Sequence, residues 1–412
     1  MNRFAIGLVG GALLLLGVAA GVAINRGMDS EPSEAAIART MADAEAAYAR
    51  GEYGRVVDIL GDLAEEGVPL AQYRLGLMYR SGFGVEADAA EARRLLGEAE
   101  AGGLEEARGP LAEMMFEAAQ TADATEGPEA GLDFWEAAAR LGDAEAQAVL
   151  GSYLLTGAVV GTPEPRRAIT LLRSAGNAGH LGAQTNLGYA YSNGIGVERD
   201  DAEAFSWYLR ASEGGLVRAQ TVLGLFYETG RGTEPNLGQA LIWYLNAYDA
   251  GAPGAAARLG RLLVAGEIES RNETDAAAWL TAAARAGMDG ALERMEAEAE
   301  AGNADTLYAL GHFYTEGEVV PQDDGIAVGY LSRAAELGAP GAQLVMAGRY
   351  ATGAGVEQDY VEAHKWANLA AAAGVEGAAS ERSVIAQFLS PDDLAAAQAR
   401  ATAWRESRRS RE

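Results

Sequence analysis

Cysteine is absent from this 412-residue chain, lysine occurs once, at Lys365, and histidine only three times. The first absence rules out disulfides, thiolate metal sites, a cysteine nucleophile and a lipidated N-terminal cysteine, so packing alone must hold the fold. Strand-forming runs are sparse and alanine is dense, which points to an all-α class. Basic residues are outnumbered, 32 against 59 acidic, for a formal net charge of −27. Duplex nucleic acid needs clustered cations to displace its counterions, so no nucleic-acid partner is expected. The same charge repels anionic membrane surfaces and favours either solubility alone or a cationic partner segment.

Recognisable catalytic patterns are missing too. The residue three before Lys365 is Glu362, which excludes a Ser-x-x-Lys nucleophile. His180, His312 and His364 stand far apart and none sits in an H-E-x-x-H setting. Gly-x-Gly pairs at Gly82/Gly84, Gly194/Gly196, Gly230/Gly232 and Gly353/Gly355 lack the Lys-Ser/Thr that follows a phosphate cradle. The acidic pairs Asp323-Asp324 and Asp392-Asp393 fall at helix starts, where the helix dipole accounts for them. No catalytic residue, cofactor or metal site is therefore expected. Asn272-Glu273-Thr274 matches a glycosylation acceptor, but Asn272 stands where its repeat needs a helix cap.

What is present is repetition. Leu187-Gly188-x-x-Tyr191-x-x-Gly194-x-Gly196-Val197-x-x-Asp200 returns as Leu223-Gly224-x-x-Tyr227-x-x-Gly230-x-Gly232. An Ala-x-x-Trp follows each copy, ending at Trp207 and Trp243. The bulky member of that second segment reads Leu60, Leu95, Phe134, Leu171, Trp207, Trp243, Trp279, Tyr330 and Trp366. The small residue of the first segment runs in parallel through Gly76, Gly151, Gly188, Gly224, Gly260, Gly311 and Ala347, with Tyr79 in the aromatic slot of the earliest copy. One member is missing at Leu111–Gln120, and Thr121–Pro128 reads as a long polar connection. Between Trp279 and Tyr330 the spacing grows, and the surplus at Asp289–Gly302 reads as an added helix.

A fixed period of this length means stacked supersecondary units that cannot bury their apolar faces alone. Small residues let two helices approach, and large ones such as Tyr191 and Trp207 fill the space between them and into the next unit. Gly194 and Gly196 suit a helix end that needs positive φ, and Asp200 suits the following N-cap. Asp88, Asn236, Asn272 and Asp359 repeat that capping role. Each unit is an αα-hairpin.

The pattern carried by Ala183–Ala211, and with substitutions by Ala71–Ala99, Ala219–Ala247 and Ala342–Ala370, resembles the Sel1-like repeat family, relatives of tetratricopeptide repeats. The resemblance covers residues 35–404. It implies an αα-hairpin solenoid wound as a right-handed superhelix, and an adaptor that assembles other proteins, often in bacterial envelope signalling. Some cysteine-rich relatives staple every hairpin with a disulfide, which this chain cannot do.

The remaining segments set the expected organisation. Residues 1–26 hold the apolar run Phe4–Ile24, without a charge and long enough to span a bilayer, read as an anchor or uncleaved signal. Val18-Ala19-Ala20 offers a cleavage site, which leaves a secreted or periplasmic form as the alternative. Arg3 favours the inside and Asp29, Glu31 and Glu34 the outside, so the repeats are expected in the periplasm of an inner-membrane-anchored protein, touching membrane only through residues 4–24. Residues 27–34 read as a tether, 35–389 as the solenoid, 390–404 as a capping helix begun by Ser390-Pro391, and 405–412 as a basic tail.

The position before the recurrent Leu-Gly varies: Arg74, Val149, Asn186, Val222, Arg258 and Ala309. Its polar members, Arg74, Asn186 and Arg258, are the candidate protein-binding residues, able to hold a carboxylate or a peptide backbone. The sequence thus leads to a non-enzymatic scaffold that binds a protein or peptide in the groove of a helical solenoid. The alternative is a periplasmic hydrolase or glycan-modifying enzyme that uses groove carboxylates.

Overall fold

The structure is a computed structural model and describes residues 33–410. Among those residues there is no strand. The opening hairpin joins α1 (Glu34–Ala49) to α2 (Tyr53–Glu65). Next, α3 (Pro69–Ser81) pairs with α4 (Ala89–Ala101), α5 (Arg108–Glu126) with α6 (Leu132–Arg140), and α7 (Ala144–Thr156) with α8 (Pro165–Asn177). After α9 (Leu181–Asn193), a first compact unit ends at Trp207, inside α10 (Asp201–Glu213). The second unit begins at Tyr208 and pairs α11 (Val217–Thr229) with α12 (Leu237–Asp249) and α13 (Pro253–Val264) with α14 (Glu273–Arg285). Then come α15 (Ala291–Glu300), the hairpins of α16 (Ala304–Glu316) with α17 (Asp324–Glu336) and of α18 (Pro340–Thr352) with α19 (Tyr360–Ala372), α20 (Ala378–Ile385) and α21 (Pro391–Arg409).

The helix ends follow the sequence rules. Asp88 accepts from the amides of Ala90 and Glu91 at 2.8 and 3.0 Å, and Asp200 from Ala202 and Glu203 at 2.9 Å each. Asn236, Asn272, Asp359 and Ser390 cap α12, α14, α19 and α21 in the same way. The two loop glycines differ in purpose. Gly194 ends α9 in the left-handed region, at φ 70°. Gly196 also has positive φ, but a Cβ there would lie 2.6 Å from the backbone of Pro165, so the loop rests directly on the start of the preceding second helix.

Packing divides a job that the sequence assigned to one position. The residue after the bulky register member faces the glycine of its own hairpin: Leu96 over Gly76, Leu172 over Gly151, Tyr244 over Gly224 and Leu331 over Gly311. Three of the register residues meet the preceding repeat. Trp207 reaches Gly176 of α8, Trp279 meets Tyr248 of α12 edge-on at 5.8 Å, and Phe134 lies under Arg93 of α4. Successive helix residues point about 100° apart, so one contact stitches the hairpin and its neighbour stitches the stack. Each large side chain buried this way contributes about 2 to 3 kcal/mol.

Three expectations need correction. Leu111–Gln120, where the register loses a member, lies in α5, with Leu111, Met114 and Ala119 buried. Thr121–Glu126 continues that helix instead of forming a polar connection, because Asp123 is held from α6 and α7 by Trp135 Nε1 at 2.9 Å and Tyr153 Oη at 3.4 Å. In that hairpin Trp135, 4% exposed, is the core residue, with Phe134 half-buried. The terminal helix also outruns residue 404, since Trp404 Nε1 bonds Glu336 Oε2 and positive charge at Arg408 and Arg409 suits the C-terminal dipole. Arg405 is thus helical, while Arg411 lies outside the described residues. The surplus around residue 295 forms α15, whose Met295 is buried between α14 and α16. No helix of the described residues is long and apolar enough to cross a membrane, and the run 4–24 lies outside them.

Candidate binding surfaces

The nominated residues are largely committed to the fold. Arg74 on α3 donates to Glu45 of α1 at 3.1 Å, and Asn186 on α9 donates to Ser152 of α7 at 2.7 Å. Arg258 on α13 lies half-buried beside Tyr244, where its charge is felt by the phenol. Arg74 and Asn186 belong to separate hairpins of the first unit, and Arg258 to a hairpin of the second. The variable position therefore ties first helices to one another. Arg80–Glu113, Arg261–Glu228 and Arg349–Thr315 do the same from other positions.

A conserved-looking tie escaped the sequence reading. Gln72, Gln147, Gln184 and Gln343 are buried, and each Nε2 donates to a carbonyl eight residues earlier, at Ala64, Ala139, Gly176 and Ala335. Those carbonyls end the preceding second helix, where intrahelical partners run out. The signal was the Ala-Gln pair near the head of five of the seven repeats, as in Ala71-Gln72 and Ala183-Gln184.

One cluster of titratable groups lies in the core of the second unit. Tyr244, fully buried, donates to Glu228 Oε2 at 2.7 Å, and Arg261 Nη2 donates to Glu228 Oε1 at 2.6 Å. Burial, then the hydrogen bond to Glu228 and that carboxylate's charge, push the phenol far above its ordinary value. Here tyrosine stands where leucine faces the glycines Gly76, Gly151 and Gly311, and its hydroxyl needs an acceptor. The histidines stay apart. His180 Nδ1 accepts from the Ala183 amide at 3.0 Å and caps α9, His312 packs edge-on to Tyr308, and His364 is buried on α19. No three His, Asp or Glu side chains among the described residues are placed to hold a metal.

The surface also carries exposed apolar and aromatic side chains. Tyr189 on α9 is 51% exposed, Ile242 on α12 50% and Phe388, after α20, 61%. Phe388 and the start of α19 border an open cleft of about 810 Å³ at the end of the second unit.

This arrangement, helical hairpins whose recurring residues serve packing, defines a repeat protein of the αα-hairpin class. The Sel1 repeat model matches residues 69–104, 144–180, 182–216, 217–251, 253–288, 304–338 and 340–375. The chain belongs to the Sel1 repeat family. It is similar to the Sel1-repeat-containing protein YjcO of Escherichia coli (strain K12), 36% identical over 81 residues that make up 19% of this chain and 34% of that protein. The match thus spans about a third of the curated relative's length. Among solved structures, a protective antigen of uropathogenic Escherichia coli strains displaying an SLR fold is 24% identical, with 90% of this chain and 85% of that one covered at TM-score 0.44. A Sel1 repeat protein from Oxalobacter formigenes is 25% identical, with 88% and 96% covered at TM-score 0.34. The family assignment rests on the seven matched segments alone.

Proposed function

We propose that this chain is a binding scaffold of the bacterial envelope, held to the inner membrane through residues 4–24, whose repeats engage a protein partner along the first-helix surface. Sel1 repeat proteins are typically protein–protein interaction scaffolds. The observation that carries the reading here is where the side chains go. Recurrent small residues, Trp207, Trp279 and Trp366 are buried, and Arg74 and Asn186 are engaged within the chain, whereas Tyr189 stands 51% exposed on a first helix. Large aromatics of that kind anchor protein interfaces because they bury much area with little entropy to lose.

In-cell photo-crosslinking of the full chain tests it, with benzoylphenylalanine in place of Tyr189 and, separately, Ile242. Discrete adducts to an envelope protein at Tyr189 are expected. Absence of reproducible adducts at both positions, together with turnover of cell-wall glycan by the pure protein, overturns the scaffold. A phosphatase reporter fused after Glu412 reads topology separately, and an inactive reporter removes the envelope assignment.

A further inference from the structure

We propose that the cleft at the end of the second unit docks an arginine- or lysine-bearing segment of a partner protein, an inference that rests on the scaffold reading and names the chemistry of one occupant. The cleft exists because the repeats stop. In earlier hairpins the first residue of the second helix is covered by the glycine loop of the following repeat: Tyr53 by Gly84, Pro165 by Gly196 and Asp324 by Gly355. Tyr360 holds that place on α19, and the described residues beyond that hairpin form α20 and α21, not another matched repeat. Phe388 stacks on its ring instead, with centroids 5.0 Å apart and planes 9° from parallel, and leaves the rest of the slot open as a space of about 810 Å³.

The slot's lining is negative and aromatic. Glu357, Asp359, Glu362 and Asp393 line it beside Tyr360 and Phe388, and no lysine, arginine or histidine does. Asp359 Oδ1 is spent on the amides that start α19, Glu362 holds Lys365 and Arg400, and Asp393 accepts from Ser390 Oγ. Glu357, in the loop, has no such bond among the described residues. The field of these carboxylates reaches Tyr350, whose phenol is pushed up by burial and then by Glu362, Asp359 and Glu336. A guanidinium or ammonium over the Phe388 face gains a cation–π contact there and a charge-assisted bond to Glu357.

Fluorescence polarisation of the full chain with a fluorescein-labelled peptide of alternating leucine and arginine tests this. Binding is expected to weaken about tenfold in Glu357→Lys and in Phe388→Ala, as loss of a charge-assisted bond or a cation–π contact requires. Glu198→Lys, the same change at the same loop position of another hairpin, is expected to leave it within about twofold, since Glu198 does not line the cleft and an exposed charge is screened by salt. A citrulline-for-arginine peptide is expected not to bind. The proposal fails if the wild type does not bind, if Glu198→Lys weakens binding as much as Glu357→Lys, or if the citrulline peptide binds equally. Crosslinks at Tyr189 in cells, with any of those failures, would retain the scaffold and remove the cleft.

Discussion

Gly260 and Gly76 occupy the same place in the repeat, yet alanine is expected to act on them very differently. A Cβ at Gly260 would lie 2.1 Å from the Trp279 carbonyl oxygen, 2.8 Å from its carbon and 2.9 Å from the Ala283 Cβ. Those neighbours are helix backbone and a methyl already fixed to it, so relief requires moving α13 away from α14. A Cβ at Gly76 would lie 3.0 Å from Cγ of Leu96, a side-chain atom that can give by a few tenths of an ångström without moving a backbone. Replacing glycine by alanine inside a helix gains about 1 kcal/mol in both cases. Overpacking costs about 1 to 3 kcal/mol and more where backbone must shift. Gly260→Ala is therefore expected to lose about 2 kcal/mol or more net, while Gly76→Ala stays within about 1 kcal/mol of the wild type. Urea titration followed by far-UV circular dichroism and tryptophan emission measures both. Equal midpoints for the two variants would refute the claim that backbone, at this one hairpin, sets the helix separation.

Two further expectations concern buried polar groups. Glu228→Leu strips acceptors from the Tyr244 hydroxyl and from Arg261, and a loss of about 3 kcal/mol is expected, against a smaller loss for Glu228→Gln, which keeps an acceptor oxygen; equal losses in urea titration would count against the cluster. Burial first, then the nearby Arg382 charge, holds the His364 imidazole below its ordinary 6.5. The unfolded chain then takes up a proton there before the folded one, so stability is full above about pH 6.5 and falls as pH drops below it. Glu381, raised by burial, acts in the opposite sense at lower pH. His364→Leu should thus flatten the decline below pH 6.5 relative to the wild type at each pH, and an unchanged slope would remove His364 as its cause.

Much of the fold was legible because the repeat places the same residue types at the same helical offsets. Asp88, Asp200 and Asp359 announce helix starts through local chemistry, since the capping oxygen bonds amides only two or three residues away. Contacts across repeats were not legible in that way. Trp207 carried a clear periodic signal, but whether it reached forwards or backwards along the stack depends on helix rotation, which periodicity does not define. Thr121–Glu126 is polar enough to read as a loop and is helix because Trp135 and Tyr153 hold Asp123. The candidate surface fared similarly. Variation at Arg74 and Asn186 looked like freedom for a ligand, while the structure uses both to join neighbouring first helices.

By itself the sequence determined the all-α class, the hairpin repeat, most helix caps and the family, because those depend on spacings of a few residues that survive in any homologous copy. Tertiary structure alone decided which of two adjacent side chains seals a hairpin and which joins it to its neighbour. It also decided that a tyrosine at the sealing position requires Glu228, and that the last second helix is left with an uncovered start. Each of these depends on distances between helices that lie far apart along the chain, and such distances are settled only when close-packed backbones leave or refuse space for one more carbon atom.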